Sequence, residues 1–334
     1  MQKLLEEIVA VLPEVQVVGD CDKIIKDITA DSREVREGSL FICLKGAHVD
    51  GHKYLEQAAA SGAGAALVED VPEVCPDGLT LLKVADTRLG MEVIAPFFYD
   101  YPGKTMRMIG VTGTNGKTTT TNIVRAILRK AGFKVGLIGT INIMIEDEAI
   151  VAHNTTPDVV DLQRALYRMK EAGCEYVVME VSSQGLKLDR TAGILFDYGV
   201  FTNLSPDHIG PAEHASFEDY MHCKGLLFQQ CKLGIVNMDD KHLEQVLKGH
   251  TCRIETFGFS EKADLRAENT KLVSRPGYLG IDYTAEAKDF HLDVEIDIPG
   301  KFSVYNSLTA IAVCRHFGVS KEDILKALAQ AKVK

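Results

Sequence analysis

The chain of 334 residues is 46% hydrophobic and 25% charged, an ordinary globular composition whose length suits about two domains, each with its own core. Its formal net charge is −10 and no run of Lys and Arg exceeds three residues, which argues against nucleic-acid binding through phosphate neutralisation. No segment approaches the roughly 20 apolar residues of a membrane span. The amphipathic run from Met1 to Leu12 carries Glu6 and Glu7 and does not read as a signal peptide, so a cytoplasmic location away from membranes is expected.

The first unit is expected over residues 1–103, with a strand at Ser39 to Leu44, a helix at Tyr54 to Ser61, a strand at Gly64 to Val68 and a helix from Thr87 to Tyr99. The pair Pro102-Gly103 punctuates the chain, and the second unit is expected over 104–334. It opens with an apolar strand, Met106 to Val111, and a glycine-rich turn. A helix from Thr118 to Ala131 follows, closed by Gly132 at the position just past its end. After a strand at Lys134 to Gly139, Thr156-Pro157 suits a helix start, with Thr156 as cap and the helix running to about Ala172. Strands are expected at Tyr176 to Val181, Tyr198 to Asn203, Gly234 to Asn237 and Arg253 to Phe259, and a helix at Phe217 to Cys231. Short strands alternating with helices predict an α/β fold with a mostly parallel sheet flanked by helices. Gly280 to Thr284 and Phe290 to Ile298 alternate apolar and polar residues, which predicts a small antiparallel appendage. A helix from Ser303 to Phe317 ends at Gly318, and Ser320 with Asp323 resembles a capping box for the last helix.

The eight cysteines (Cys21, Cys43, Cys75, Cys174, Cys223, Cys231, Cys252 and Cys314) include no CxxC pair, so they read as reduced thiols, with neither a zinc site nor a disulfide framework. The strongest chemical signal is Gly113-Thr114-Asn115-Gly116-Lys117-Thr118-Thr119 between an apolar strand and a helix. Glycines let successive N–H groups turn toward phosphate oxygens. The helix N-terminus and Lys117 add positive charge, and the Thr118 hydroxyl can ligate magnesium. The general phosphate-loop pattern has glycine where this chain has Val111, so the match is a variant.

Three further residues fall near the carboxyl ends of strands or just beyond, where open parallel sheets place ligands. Glu180 leaves a buried strand, where a carboxylate needs a cation, either magnesium or a neighbouring Arg or Lys. His208 could ligate metal through one ring nitrogen, although a lone His is more often an ordinary loop residue. Lys224 is either a solvated helical lysine or a buried one, whose neutral amine could take up carbon dioxide and become an anionic carbamate.

Taken together, these residues resemble the Mur ligases over nearly the whole chain. Thr112 to Thr119 is similar to the family's ATP loop, including the departure at Val111. Glu180 and His208 fall on its magnesium positions, and Lys224 on its carbamylated lysine. Asn306, in Gly300-Lys-Phe-Ser-Val-Tyr-Asn306, falls where the family contacts adenine. The resemblance therefore implies ATP and Mg2+ as cofactors. It assigns ATP contacts to Gly113, Thr114, Asn115, Gly116, Lys117, Thr118, Thr119 and Asn306. It places metal at Thr118, Glu180, His208 and Lys224, with Lys117, Lys224 and His208 as the reacting machinery.

Within the family, Asp31-Ser32-Arg33 with Gly38, Phe41, Gly46 and Asp50-Gly51-His52 resembles the N-terminal UDP-binding pattern of the tripeptide synthetases, with Ser32 on the uridine portion. Asn154, Thr155, Thr156, Ser182 and Arg190 resemble the residues that hold the muramoyl dipeptide, a carboxylate-rich ligand suited to hydroxyls, amides and a guanidinium. The implied function is addition of the third amino acid to UDP-N-acetylmuramoyl-L-alanyl-D-glutamate through an acyl phosphate. That amino acid is meso-diaminopimelate or L-lysine, the former being commoner. Another Mur-type or folylpolyglutamate-type ligase, or a nucleotide-binding module without catalysis, is the alternative. The resemblance also implies that the C-terminal domain, which binds the free amino acid, is absent, so that this piece binds but turns over poorly. No obligate protein partner is expected. Two departures stand out: the segment from His208 to His214 differs from the family's usual acidic-aromatic sequence and lengthens the spacing to Lys224, and Gln184 stands where many relatives carry His.

Overall fold

Val159, Val160 and Ala192 are buried among residues of the first hundred, in a cluster with Ile28, Leu40, Leu67, Ile94 and Phe98. That burial returns two later segments to the first unit of the computed structural model. The unit comprises Met1–Pro102, Asp158–Tyr167 and Asp189–Gly193; the second comprises Gly103–Pro157, Arg168–Leu188 and Ile194–Lys334. A single cut near residue 103 cannot describe this division, because side-chain burial reaches across it in sequence. The structure describes residues 1–46, 49–207, 209–210 and 213–330.

The first unit contains β1 (Lys3–Leu4), α1 (Leu5–Val11), β2 (Gln16–Val18), β3 (Ile24–Ile25), β4 (Asp27–Thr29), β5 (Ser39–Ile42), α2 (Leu55–Ala60), β6 (Ala65–Val68), β7 (Thr80–Lys83) and α3 (Thr87–Phe98). β1 pairs with β3, and the other strands form a sheet in the order β2-β7-β6-β5-β4, parallel except for β2. β5 and β6 are buried along their whole length, as strands covered on both faces are. α3 starts at Asp86, whose carboxylate accepts the N–H groups of Arg88 and Leu89. Five of these strands (β1 to β4 and β7) lay outside the sequence expectations; β1 to β4 are two or three residues long, β7 four, and all carry little periodicity.

The second unit opens with β8 (Arg107–Thr112), α4 (Lys117–Lys130), β9 (Val135–Ile138) and a hairpin of β10 (Asn142–Ile145) and β11 (Glu148–Val151). Next come α5 (Val159–Glu171), which is shared with the first unit, β12 (Tyr176–Glu180), α6 (Ser183–Lys187), β13 (Phe196–Phe201), α7 (Phe217–Gly225) and β14 (Cys231–Asn237). α8 (Leu243–Val246), β15 (Arg253–Gly258), β16 (Leu265–Arg275), β17 (Tyr278–Ala287), β18 (Phe290–Ile296), α9 (Lys301–Cys314) and α10 (Lys321–Gln330) complete it. One sheet of eleven strands runs β11-β10-β9-β12-β8-β13-β14-β15-β16-β17-β18. From β9 through β12, β8, β13, β14 and β15 to β16 neighbours are parallel, while β9–β10–β11 and β16–β17–β18 are antiparallel. β8 is buried after its first residue and β12 throughout, which fits their central places.

α4 buries Thr120, Thr121, Ile123, Val124, Ile127 and Leu128, one helical stripe, in a core shared with Val304, Leu308 and Ile311 of α9 and Ile324 of α10. Arg129 and Lys130 lie in its last turn, where the partial negative charge of a helix end favours cations, and Gly132 has φ 92°.

Two expectations need correction. The expected helix from Phe217 to Cys231 ends at Gly225, continues as a tighter turn over Leu226–Gln229, and gives way to β14 at Cys231. α5 begins at Val159, so Thr156 is not its cap; the Thr156 hydroxyl instead meets Glu180 and Ser182. Among the described residues no helix is long and apolar enough to cross a membrane.

Candidate functional site

Strand register brings the site together. In the second unit Glu180 is paired with Val111 across β12–β8, and Phe201 with Thr112 across β13–β8. The glycine turn, the Glu180 carboxylate and the exit of β13 therefore leave the sheet at one level, at its carboxyl edge.

The turn from Gly113 to Gly116 has both glycines at positive φ, 144° and 86°, and α4 starts at Lys117. A methyl group at Gly113 would lie 1.9 Å from Thr202 Oγ1, so only glycine lets the two backbones approach this closely. Residues leaving β13 hold the turn. Asn203 Oδ1 accepts from Asn115 N at 3.0 Å while Asn203 Nδ2 donates to Asn115 O at 3.0 Å, and Thr202 Oγ1 donates to Asn115 O at 2.7 Å. Thr114 N donates to Asn203 O at 2.9 Å. Asn203 received no role from the sequence; its reciprocal amide pairing appears only once β13 lies beside β8.

Lys117 Nζ donates to Gly113 O at 2.8 Å and Thr114 O at 3.1 Å, folded back over the loop. Burial pushes its pKa down, against the attraction of Glu180 and Asp207. Lys224 Nζ donates to the same Gly113 oxygen at 2.9 Å and lies 4.5 Å from the centre of the Tyr220 ring. Lys224 is 1% exposed, which decides between the solvated and the buried lysine. Burial first, and the charge of Lys117 second, hold its pKa well below the ordinary lysine value. The neutral amine is thereby favoured over the ammonium relative to an exposed lysine.

Glu180 is also 1% exposed. It accepts from Thr118 Oγ1 at 3.0 Å, from Thr140 N at 3.0 Å and from Thr140 Oγ1 at 3.0 Å. Adjacent ligands of an octahedral magnesium ion stand about 3 Å apart, so Thr118 Oγ1 and Glu180 Oε2 have a separation that one such ion fits. Thr140, one residue beyond Gly139 at the end of β9, was missed; a hydroxyl just past a buried strand was the available signal.

Beside the loop, and lined in part by Thr118, Asn122, Ile141, Met144, Ile296 and Asn306, is a cavity of about 380 Å³. Its walls are mostly apolar with a few amides and hydroxyls, which suits a flat heteroaromatic ring. Asn306 Oδ1 would be 2.6 Å from a methyl group placed on Gly116, so the amide lies directly on the glycine turn.

The remaining expected residues are distributed as follows. Thr155 Oγ1 lies 3.0 Å from Thr140 Oγ1, and Asn154 is exposed beside it. Thr156 is fully buried; its hydroxyl donates to Glu180 O and accepts from Ser182 N at 2.9 Å. That hydroxyl thus supports Ser182 from beneath. Ser182 caps α6 by accepting from Gly185 N. Ser32 and Arg190 belong to the first unit, Ser32 half-buried after β4 and Arg190 with its pKa lowered by burial. His208 lies outside the described residues.

Two family profiles match the chain: the Mur ligase middle domain over residues 111–314, and the Mur ligase family catalytic domain over residues 24–95. The chain belongs to the Mur ligase family. Its similarity to a UDP-N-acetylmuramoyl-L-alanyl-D-glutamate--2,6-diaminopimelate ligase of Clostridium acetobutylicum is 42% identity over 92% of this chain and 62% of that one. Similarity to the protein of the same name from Clostridioides difficile is 40% identity over 95% of this chain and 65% of that one. This Mur ligase chain therefore spans somewhat under two thirds of the length of these relatives. A solved structure of a ligase with the same substrate name shares its fold, with TM-score 0.82 at 24% identity over 99% of this chain and 67% of the other. The MurF ligase of Thermotoga maritima in complex with ADP gives TM-score 0.64 at 22% identity, over 90% of this chain and 65% of that one.

Proposed function

We propose that this Mur ligase chain forms the nucleotide-binding and muramoyl-binding part of an ATP-dependent ligase. The enzyme adds meso-diaminopimelate to UDP-N-acetylmuramoyl-L-alanyl-D-glutamate. One observation carries the reading: Lys224 reaches Gly113 in the glycine turn and Glu180 reaches Thr118 in the first turn of α4, on either side of Lys117, which folds back onto Gly113. The substrate named for the relatives supports the choice of acceptor and amino acid.

In this reading the amides of the turn and Lys117 receive the β- and γ-phosphates of ATP, and Lys117 swings from Gly113 O to a phosphate oxygen. Asn306 and the apolar cavity take the adenine. Thr118 and Glu180, and at a second position His208 and carbamylated Lys224, would hold magnesium, which would supply charge neutralisation on the phosphates. Lys224 reaches that form when its neutral amine adds to carbon dioxide, forming an N–C bond and losing a proton.

Asn154, Thr155, Ser182 and Arg190 hold the dipeptide, and Ser32 the uridine. The glutamyl carboxylate then attacks the γ-phosphorus: an O–P bond forms, the bond to the β-phosphate oxygen breaks, and ADP leaves. The incoming amine attacks the acyl phosphate, a C–N bond forms, and inorganic phosphate departs with the former carboxylate oxygen.

The test is phosphate release by the protein carrying this chain, offered ATP, the UDP-linked dipeptide and, separately, diaminopimelate, lysine or no amino acid. Release only with the dipeptide and diaminopimelate is expected. Release independent of the dipeptide, or none in any mixture, overturns the reading, and release with lysine alone corrects the amino acid.

A further inference from the structure

The helix that carries Lys224 is tied to its neighbour by side chains. His214 is 1% exposed and both of its ring nitrogens are engaged. Nδ1 lies 3.1 Å from Asp219 Oδ2 and Nε2 lies 2.9 Å from Ser183 Oγ. A carboxylate can only accept, so Nδ1 carries hydrogen, and in the neutral ring Nε2 accepts from the Ser183 hydroxyl. Asp219, in the first turn of α7, also takes Lys187 Nζ at 2.8 Å, and Lys187 donates in addition to Glu213 O at 3.0 Å. Ser183 and Lys187 are the first and last residues of α6, which directly follows the strand bearing Glu180.

From this anchor the contacts run toward the phosphate loop. The His214 ring meets the Tyr220 ring edge-to-face at 5.2 Å; the Tyr220 hydroxyl is 3.1 Å from Thr114 Oγ1; and the face of the Tyr220 ring lies under the Lys224 ammonium. The order Ser183–His214–Asp219 has the bonding of a nucleophilic triad, yet Ser183 is 5% exposed and not placed to meet a substrate. His214, Asp219 and Cys223 have ligand atoms within 4.8 Å of one another, but the Lys187 ammonium already neutralises the carboxylate that a cation would need.

We propose that His214 is a positioning residue. By locking α7 to α6 through Asp219 and Ser183, it seats Tyr220 and Lys224 over Gly113 and Thr114. The reason is geometric. α7 is nine residues long and its hydrophobic stripe is weak, so apolar packing alone leaves its rotation and its slide along α6 poorly determined. Hydrogen bonds from a buried imidazole have one satisfactory arrangement, and loosening them frees the helix by fractions of an ångström to which a reacting amine is sensitive. The link to function rests on the reading of Lys224 given above; the placement of Lys224 does not.

The experiment compares the parent chain with His214→Ala, Asp219→Asn and Ser183→Ala. Each is labelled with acetic anhydride, and the rate at Lys224 is measured by mass spectrometry against exposed Lys130 in the same molecule. Labelling of Lys224 is expected to accelerate roughly tenfold in His214→Ala, less in Ser183→Ala, with Lys130 unchanged, and the His214→Ala plus Asp219→Asn pair to be less than additive. Overall loosening would accelerate the half-buried Lys117 equally, and that outcome overturns the proposal. An unchanged Lys224 rate in a folded His214→Ala protein overturns it too. Should His214→Ala not fold, Ser183→Ala, which removes one hydroxyl, decides by the same criterion. In parallel, 13C-bicarbonate and magnesium are added and the carbamate carbon is sought by NMR. A signal in the parent that is lost in His214→Ala supports the link to function, whereas no signal in the parent overturns the carbamate reading and leaves placement to the labelling result.

Discussion

Lys117 and Lys224 donate to the same carbonyl oxygen, that of Gly113, at 2.8 and 2.9 Å. Lys224 is buried and Lys117 half-buried, and burial, with the charge of Lys117 in the case of Lys224, disfavours the protonated form of each. Such an arrangement costs stability.

Replacing Lys224 with Met should therefore stabilise the chain while impairing the site. A lysine held below its ordinary value of 10.5 penalises folding wherever the unfolded chain would be protonated, and the penalty fades as pH rises toward 10.5. A gain on the order of 1 kcal/mol at neutral pH is expected, shrinking at alkaline pH. Urea midpoints across pH check this, and a loss of stability at neutral pH would contradict it.

Gly113 and Gly132 both sit at positive φ, yet their surroundings differ. At Gly132 an added methyl group meets nothing within 4 Å, so Gly132→Ala should cost only the backbone strain, about 1 kcal/mol. At Gly113 it meets Thr202 Oγ1 at 1.9 Å, so Gly113→Ala should cost about 3 kcal/mol or more and abolish nucleotide binding. Calorimetric melting and ADP titration of both variants separate the two; equal melting temperatures would refute the account of the turn.

Asn203 should matter to nucleotide affinity without touching nucleotide. Asn203→Ala removes both side-chain bonds to Asn115, and ATP affinity should fall roughly tenfold as the loop loses its preformed shape. Titration calorimetry reads the change, and an unaltered affinity would show the loop to be rigid by itself.

Glu180→Gln keeps the shape of the side chain but removes its charge. ATP binding should lose most of its magnesium dependence, while binding measured with a chelator present changes little. If the magnesium dependence survives, the metal sits elsewhere.

Asp219 offers a pH test. The Lys187 ammonium first, with the His214 bond and the Ala215 amide, holds its carboxyl down to about 2 from an ordinary 3.8. A carboxyl depressed in the fold stabilises fully above the unfolded value, and that stabilisation is lost as pH falls through the folded one. The parent should thus lose stability more steeply than Asp219→Asn between about pH 4 and pH 2. Parallel unfolding curves over that window would refute the pairing.

Sequence alone determined the phosphate turn, the strand before it, the helix after it and the glycine that closes that helix. Each depends on neighbours within about a dozen residues: an apolar run, glycines at positive φ, a helix end. It also marked Glu180 and Lys224 through family resemblance, but left open whether Lys224 was solvated. Only tertiary structure decided that, because burial of a side chain depends on which strands lie beside which. It likewise turned Thr156 from a helix cap into a support for Ser182, returned Val159 and Ala192 to the first core, and joined Asn203 to Asn115 and His214 to Ser183. These are contacts between residues distant in the chain, and local pattern carries no information about them until the sheet's strand order and register bring the partners within a hydrogen bond of each other.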